Sequence, residues 1–410
     1  MPSPASHRPL HTIVAAATAT ATLIAGGLAA TAASASGSRA TPQRLVTVLN
    51  GADLQHSFTP VSGPGTVTET LSAPDDITRD GSNLFTAFQN GVGPQGQPST
   101  SGNTDSTVVE FTATGHVLGQ WDVTGKVDGL TADPDQHLMI ATANEDANSS
   151  LYTISERSGA VRHYAYSIGP LLHNGGTDAI SVFHDAILIS ASAPGTVGSL
   201  AALQASFPAA YRADLDPSSL TATLTPIYGD EATATVVTAG SPKGNAEALA
   251  LTDPDSNAVV PNGSPRFAGD FELTSQADAE QIYTPDPLSD TPKLSVLNLT
   301  QGGQPQSVDD TAWATGRGTL VFTDNSNGTV DALSGAFSPG TAYVAVTPCG
   351  LASAPATCPA PGYPANFLGT LNLWSGAVTP VTLPDVGGVQ AQPQGMLFVP
   401  AAAHGGHGNH

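Results

Sequence analysis

The chain has few charged residues and very few basic ones. Of its 410 residues 11% are charged, and 12 Lys and Arg stand against 34 Asp and Glu, a formal net charge of −22. Such a shortage of positive charge argues against nucleic acid as a partner, because phosphate backbones are bound through Lys and Arg. Anionic membrane surfaces are disfavoured for the same reason, whereas cations and neutral ligands remain open.

Cysteine is also scarce. The two cysteines, Cys349 and Cys358, lie in a Pro-rich loop. In an oxidising compartment they would form one local disulfide, worth about 2–3 kcal/mol in the chain-entropy model, with two free thiols or a metal clip as alternatives. One bridge cannot support a chain of this length, so apolar burial must supply the core.

Long apolar runs are absent apart from one near the N-terminus. Arg8 precedes an Ala/Thr/Leu/Ile run over residues 13–32, followed by Ala-Ser-Ala at 33–35. This order predicts a secretory signal peptide over residues 1–35, with 36–43 as the mature N-terminal tail. A membrane anchor is the alternative, but the run is only weakly apolar. We therefore expect a secreted protein without stable membrane insertion.

Glycine and proline are abundant, at 43 and 33 residues, and no helical periodicity is sustained. Many short strands joined by turns fit this composition, which predicts an all-β fold. Residues 127–143 make the pattern explicit: an acidic residue, a short apolar strand, a tight Asp-Pro-Asp turn, then a second apolar strand. Related starts recur along the chain at Asp75, Asp128, Asp178, Glu247, Asp309 and Gln394.

Repetition at this interval predicts a β-propeller. Six starts suggest six four-stranded blades within a single domain over residues 44–400, although the longest gap, from Asp309 to Gln394, could hold a seventh. The last start leaves room for one innermost strand only. We expect the N-terminal strand at 44–49 to join it, so that both chain ends close one blade and hide its edges. Residues 401–410, rich in Gly and His, are predicted to be a disordered tail.

Aligned starts would converge on the propeller axis, because innermost strands run along the central channel. Carboxylates gathered there repel one another unless protons or a cation neutralise them. A wide ring of oxygens suits a hard divalent cation, Ca²⁺ before Mg²⁺. The alternative is that each Asp merely caps a turn through its own backbone. The predicted metal ligands are Asp75, Asp128, Asp178, Glu247 and Asp309.

The sequence from Asp128, Asp-Gly-Leu-Thr-Ala-Asp-Pro-Asp-Gln-His-Leu-Met-Ile, resembles the gluconolactonase/regucalcin repeat and, more loosely, the NHL repeat. Residues 73–84 and 392–396 resemble the same pattern, and the whole chain is similar to secreted bacterial propellers. In the lactonase family an Asp at such a start ligates a divalent metal and is implicated as a base, and a Glu at another start is also a ligand. The resemblance implies these roles for Asp128 and Glu247.

Two functions follow as hypotheses. The first is a secreted, monomeric binding or scaffold module for a small molecule, a glycan or an extracellular protein, with a divalent cation on its axis. The second is a metal-dependent hydrolase or lyase of lactonase type. Its candidate catalytic residues are Asp128, Asp178 and His173, the last because it immediately precedes Asn-Gly-Gly at a predicted blade entrance.

Overall fold

The computed structural model describes residues 43–195, 206–242, 244–355, 358, 364–385 and 388–401. The predicted signal peptide, residues 36–42 and all of the predicted tail except Ala401 lie outside the described residues. The described part contains strands and two 3₁₀ helices, Gly51–Asp53 and Pro348–Gly350, but no α-helix. Nor does it hold any helix that is both long and apolar enough to cross a membrane.

Strands β1 to β3 are Arg44–Asn50, Gln55–Phe58 and Val67–Thr70. The strands that follow are described in groups, each a set of hydrogen-bonded neighbours around the ring. The first group, β4 to β7, consists of Pro74–Asp80, Asn83–Phe88, Asp105–Thr112 and Val117–Thr124. The second, β8 to β11, consists of Val127–Asp133, Leu138–Ala143, Ser150–Ser155 and Val161–Tyr166. The third, β12 to β15, consists of Thr177–Phe183, Ala186–Ala191, Pro208–Asp216 and Thr221–Gly229.

The fourth group, β16 to β21, consists of Thr233–Val236, Ala246–Ala248, Pro254–Val259, Phe271–Ser275, Glu280–Thr284 and Leu294–Asn298. A small hairpin, β22 and β23, follows at Thr300–Gln301 and Gln304–Pro305. Strands β24 to β30 are Val308–Trp313, Arg317–Asp324, Thr329–Ala336, Ala342–Val346, Phe367–Leu371, Val378–Pro380 and Met396–Pro400. Together with β1, these strands form two groups. The fifth has the order β24-β27-β28-β29, and the sixth has the order β30-β25-β26-β1.

Each group has one strand on the axis. The six strands β4, β8, β12, β18, β24 and β30 contact one another in sequence, and β30 returns to β4. This closed ring of sheets confirms the all-β propeller. The groups are not all separate sheets, because parallel pairing of β11 with β15 merges the second and third into one eight-stranded sheet. The predicted number of blades therefore stays a prediction.

The two chain ends meet in the sixth group. Strand β30 is its innermost strand and β1 its outermost, so the expected closure through both termini is confirmed. The two strands between them come from an unexpected place. Strand β25, which follows β24 in the chain, pairs with β30 rather than with β24. The chain thus leaves the fifth group after β24, builds β25 and β26 in the sixth, and returns at β27.

The core lies between the groups rather than within one layer. Six apolar clusters of described residues each combine side chains from two neighbouring groups. Strand β9 shows why: Met139 and Ala141 pack against the first group, and Ile140 between them packs against the third. Because successive side chains point to opposite faces, strands with both faces covered are apolar throughout.

The disulfide between Cys349 and Cys358 is confirmed, with the two Cα atoms 5.6 Å apart. It closes the loop after β27 and leaves the sheets themselves free of covalent links, since the described chain contains no other cysteine.

One carboxyl group lies inside this core. Glu272 on β19 is 1% exposed; its Oε1 accepts a 2.6 Å hydrogen bond from Thr274, and its Oε2 has no partner. Burial raises the pKa of Glu272 to about 8. Folding therefore favours the protonated form of Glu272. The stability that this protonated side chain contributes is present below its unfolded pKa of 4.5 and is lost as the pH rises through its folded pKa of about 8.

We expect Glu272→Gln to remove this loss. The free energy of unfolding of the variant, relative to the wild type, should rise between pH 5 and pH 8 by up to about 4 kcal/mol, because a neutral amide does not ionise. Urea denaturation at several pH values measures the difference. A difference that does not change with pH would contradict the assignment.

Candidate active site at the propeller axis

A backbone irregularity marks the start of five inner strands. In β4, β8, β12, β18 and β24 the pairing register shifts within the first four residues. In β4, for example, the shift lies between Pro74 and Ile77, which enclose Asp75 and Asp76. Such a β-bulge puts an extra residue on one strand and redirects the side chains around it. Four of the five acidic starts, Asp75, Asp128, Asp178 and Asp309, are among these bulge residues.

The bulges surround a cavity of about 150 Å³ on the axis. Four predicted ligands, Asp75, Asp128, Asp178 and Asp309, line it together with Gln394. The three Asp residues at 128, 178 and 309 are almost fully buried. The recurring strand starts therefore do bring these residues to one cavity, and their role as metal ligands stays a prediction.

Glu247 does not reach this cavity. It lies on β17, at the edge of the fourth group, opposite Ala234. The acidic position of the fourth inner strand belongs instead to Asp255 on β18. The missed signal was the pair Pro254-Asp255, which repeats Pro74-Asp75. It was hidden because Asp-Pro-Asp at 253–255 is the same tripeptide as the turn that begins at Asp133.

His173 also lies away from the cavity lining. It is fully buried, with Nε2 close to the carbonyl oxygen of Gly176 and Nδ1 2.7 Å from the hydroxyl of Tyr211. A neutral imidazole satisfies both, donating from Nε2 and accepting at Nδ1. Burial lowers the pKa of His173 to about 4. Both ring nitrogens therefore make hydrogen bonds within the fold. His173 does not lie on the cavity, where the sequence analysis expected it to transfer protons.

Lys126 is the cation in the cavity lining, and sequence reasoning missed it. Its Nζ lies 2.6 Å from Asp128 Oδ1 and 2.5 Å from Glu145 Oε1. Burial alone would lower the pKa of Lys126, but the carboxylates of Asp128, Glu145 and Asp75 outweigh burial and raise it. Lys126 therefore stays charged and neutralises one side of the cavity. It stands just before the repeat start, where no alignment of starts would include it.

The remaining acids are not neutralised. Eight Asp and Glu side chains contribute to the lining, against this one lysine among the described residues. Burial raises the pKa of Asp75, Asp178 and Asp255 well above the ordinary value, and neighbouring carboxylates raise it further. Burial also raises the pKa of Asp128, although Lys126 opposes it. The cavity therefore attracts protons or cations.

Amide side chains leave specific carboxylate oxygens free. Gln89 donates to Asp128 Oδ1 at 3.1 Å, and Gln276 donates to Asp309 Oδ1 at 3.0 Å. The other oxygen of each, Asp128 Oδ2 and Asp309 Oδ2, is buried and accepts no side-chain hydrogen bond from an amide or hydroxyl group. The same holds for Asp255 Oδ2 and Asn257 Oδ1 on the same cavity, and the carboxyls of Asp255 and Asp309 lie in hydrogen-bond contact with each other. Unpaired buried oxygens are costly, so a ligand that supplies positive charge or donors is expected here.

In two repeat starts a second acid follows the axial one, and it binds the backbone of a neighbouring inner strand. Asp76 Oδ2 accepts a 2.6 Å hydrogen bond from the backbone N–H of Leu130, on the next inner strand. Asp310 Oδ2 accepts one of 2.5 Å from the backbone N–H of Met396 in the same way. These carboxyls tie neighbouring inner strands together, and the adjacent residues Asp75 and Asp309 are left to face the cavity.

Hydroxyl groups hold the axial residues from the side. Thr142 on β9 donates to the carbonyl oxygen of Asp178, and Ser190 on β13 donates to that of Asp255 at 2.6 Å. Thr323 on β25 makes the equivalent bond to the carbonyl oxygen of Asp75. In each case a second strand of one group positions the axial residue of the next, so the ring is built cooperatively.

No family model matches the chain, and no curated protein matches it. Solved structures do. A periplasmic gluconolactonase of Pseudomonas aeruginosa, PpgL, is 14% identical with a TM-score of 0.44, covering 87% of this chain and 98% of that one. A streptogramin B lyase is 12% identical with a TM-score of 0.39, over 84% and 91% of the two chains. A functionally unknown protein from Desulfotomaculum acetoxidans is 13% identical with a TM-score of 0.40, over 87% and 98%. At these scores the propeller fold rests on the strand pairing described above.

Substitutions of the adjacent residues Asp309 and Asp310 test whether the first faces the cavity while the second holds two inner strands together. In metal-free buffer we expect Asp310→Ala to lower the free energy of unfolding by about 1–3 kcal/mol, because the backbone donors of Thr311 and Met396 lose their acceptor. Asp309→Ala should cost less or stabilise, since it removes one of the crowded carboxyls. Urea denaturation of both variants checks this, and equal losses would refute it.

Proposed function

We propose that the chain is a secreted binding propeller whose axial cavity holds a divalent cation, with Ca²⁺ preferred to Mg²⁺. The observation that carries the proposal is the set of buried carboxylate oxygens on Asp128, Asp255 and Asp309 around one cavity, which no amide or hydroxyl side chain satisfies and of which those of Asp255 and Asp309 lie against each other. Oxygen donors of this kind, with an amide oxygen from Asn257, are what hard cations bind. Burial raises the pKa of Asp255 and Asp309 and neighbouring carboxylates raise it further, and a cation would relieve that repulsion.

The ion would be held partly through water. Among the described residues no three axial acids bring one ligand atom each within 4.8 Å of one another. The cavity of about 150 Å³ has room for several waters, which would complete the shell. Ca²⁺ tolerates such irregular, mixed coordination, whereas Mg²⁺ demands a near-ideal octahedron at short distance, and this difference supports the preference.

A binding role is supported over proton-transfer chemistry by His173, whose ring nitrogens are both engaged away from the cavity. The partner would be a small molecule, a glycan or an extracellular protein, and the chain would act as a monomer. The disulfide between Cys349 and Cys358 supports an oxidising compartment and hence secretion.

Calcium titration of the mature protein tests the axial site. We expect one ion to bind by calorimetry, and the double variant Asp128→Asn, Asp309→Asn to weaken binding by about tenfold or more, because two anionic ligands become neutral. Glu247→Gln is the matched control, since Glu247 lies on the edge strand β17, and it should bind as the wild type does. Wild-type protein that binds neither Ca²⁺ nor Mg²⁺ would end the proposal.

A metal-dependent hydrolase or lyase of lactonase type is the second candidate. It is favoured by one observation: burial raises the pKa of Asp128 to about 8, close to the range in which a carboxylate is an effective general base. Asp178 lines the same cavity. In this function the cation would polarise the substrate carbonyl.

A panel of lactones and esters, assayed with Ca²⁺ or Mg²⁺, separates the two candidates. If the chain is an enzyme, Asp128→Asn should abolish turnover while the variant stays folded, and Glu247→Gln should leave turnover intact. Turnover that persists in Asp128→Asn would remove Asp128 as the base. Cation binding without turnover on any substrate of the panel would favour the binding module.

A further inference from the structure

We propose that Asp80, His137 and Glu156 form a second metal site, for a transition-metal ion such as Zn²⁺. The three residues lie outside the axial cavity. Asp80 is the last residue of β4, whose other end carries the axial acids. The site is therefore independent of the axial cation and goes beyond the function proposed above.

Three separate segments bring the ligands together. Asp80 ends an inner strand of the first group, His137 lies in the turn between β8 and β9, and Glu156 follows β10 in the second group. One ligand atom from each residue lies within 4.8 Å of the other two. The backbone N–H of Glu156 donates to the carbonyl oxygen of His137 at 3.1 Å, so two of the three are held in register by the backbone. A bound metal would join the first group to the second.

The carboxylates at this point lack a positive partner. Glu156 Oε1 is buried and accepts no hydrogen bond from an N–H or hydroxyl group. The carboxyls of Glu156 and Asp80 lie in hydrogen-bond contact with each other. Among the described residues no Lys or Arg forms an ion pair with Asp80 or Glu156. Two acids this close together, one with an orphaned buried oxygen, are the arrangement that a metal ion resolves.

The backbone of His137 lies in the left-handed region, with a φ of +55°, which Gly, Asn, Asp and His adopt more readily than other residues. Neither imidazole nitrogen makes a hydrogen bond among the described residues, so the ring is free to ligate.

The donor set selects the metal. One imidazole nitrogen and two carboxylate oxygens suit Zn²⁺, which binds both at about 2.0–2.2 Å. Ca²⁺ and Mg²⁺ prefer oxygen ligands throughout, so the hard ion proposed for the axis would not compete well here. Three protein ligands leave the fourth tetrahedral position to water.

Zinc titration of the full-length mature chain tests the site. We expect one Zn²⁺ whose affinity falls by about tenfold or more in His137→Ala and in Glu156→Gln. His116→Ala is the matched control, since His116 is an exposed histidine in a comparable turn, between β6 and β7. The histidines at 404, 407 and 410 contribute the same background to every variant. Substitution by Co²⁺ adds a second readout, a visible d–d absorption band whose intensity reports whether the ion is four-coordinate or octahedral.

The outcome distinguishes this site from the axial one. Asp128→Asn, Asp309→Asn should keep the zinc site, and His137→Ala should keep calcium binding. The proposal is overturned if His137→Ala binds Zn²⁺ as tightly as the wild type, or if His116→Ala loses as much affinity. Thermal unfolding in the presence of a chelator shows whether each variant is folded. If His137→Ala is unfolded, the test uses Glu156→Gln and the Co²⁺ absorption band instead. A band that is the same in Glu156→Gln as in the wild type would overturn the proposal.

Discussion

Repulsion between buried like charges at the axis is the constraint on which the rest of this structure depends. Asp128, Asp178 and Asp309 are almost fully buried on one cavity, with Asp75 and Asp255 beside them. Moving a carboxylate out of water disfavours its charged form, and a second carboxylate nearby disfavours it further. Lys126 offsets part of this cost, and protons or a cation must offset the remainder. Such a centre weakens the fold, so stability has to come from elsewhere.

The propeller supplies that stability around the centre. Apolar clusters between neighbouring groups bury both faces of strands such as β9, and this burial is the dominant favourable term. Closer to the axis, polar bonds hold the acids in place: Asp76 and Asp310 tie adjacent inner strands, and Thr142 fixes the backbone of Asp178 from the neighbouring group. Asp75, Asp178 and Asp255 cannot move away from the axis because each is held by a hydroxyl group of the preceding group. An arrangement that maintains unfavourable charge in this way is typical of functional sites.

How far the sequence predicted the site differs from residue to residue. Asp75, Asp128, Asp178 and Asp309 line one cavity, as the recurring strand starts predicted, and their role as metal ligands stays a prediction. Glu247 lies outside this cavity and Asp255 lines it instead; the sequence concealed this because an Asp-Pro-Asp tripeptide serves as a turn at 133–135 and as a strand start at 253–255. Lys126 and Asn257 carry no repeat signal, since each occurs in one group only. His173 was predicted to be catalytic because Asn-Gly-Gly follows it in the chain. In the structure it is buried against Tyr211, away from the cavity.

By itself the sequence determined the class of the fold, the acidic composition of the axis and the meeting of the chain ends. These follow from periodicity, composition and the place where the last repeat stops, all of which are local properties. Only the tertiary structure decided that β25 and β26 belong to the sixth group, because two apolar strands with similar patterns can pair with either neighbour until the whole ring is packed. It also decided which carboxylate oxygens are left unpaired, and that Asp80, His137 and Glu156 meet, because those contacts join segments far apart in the chain and leave no periodic trace in it.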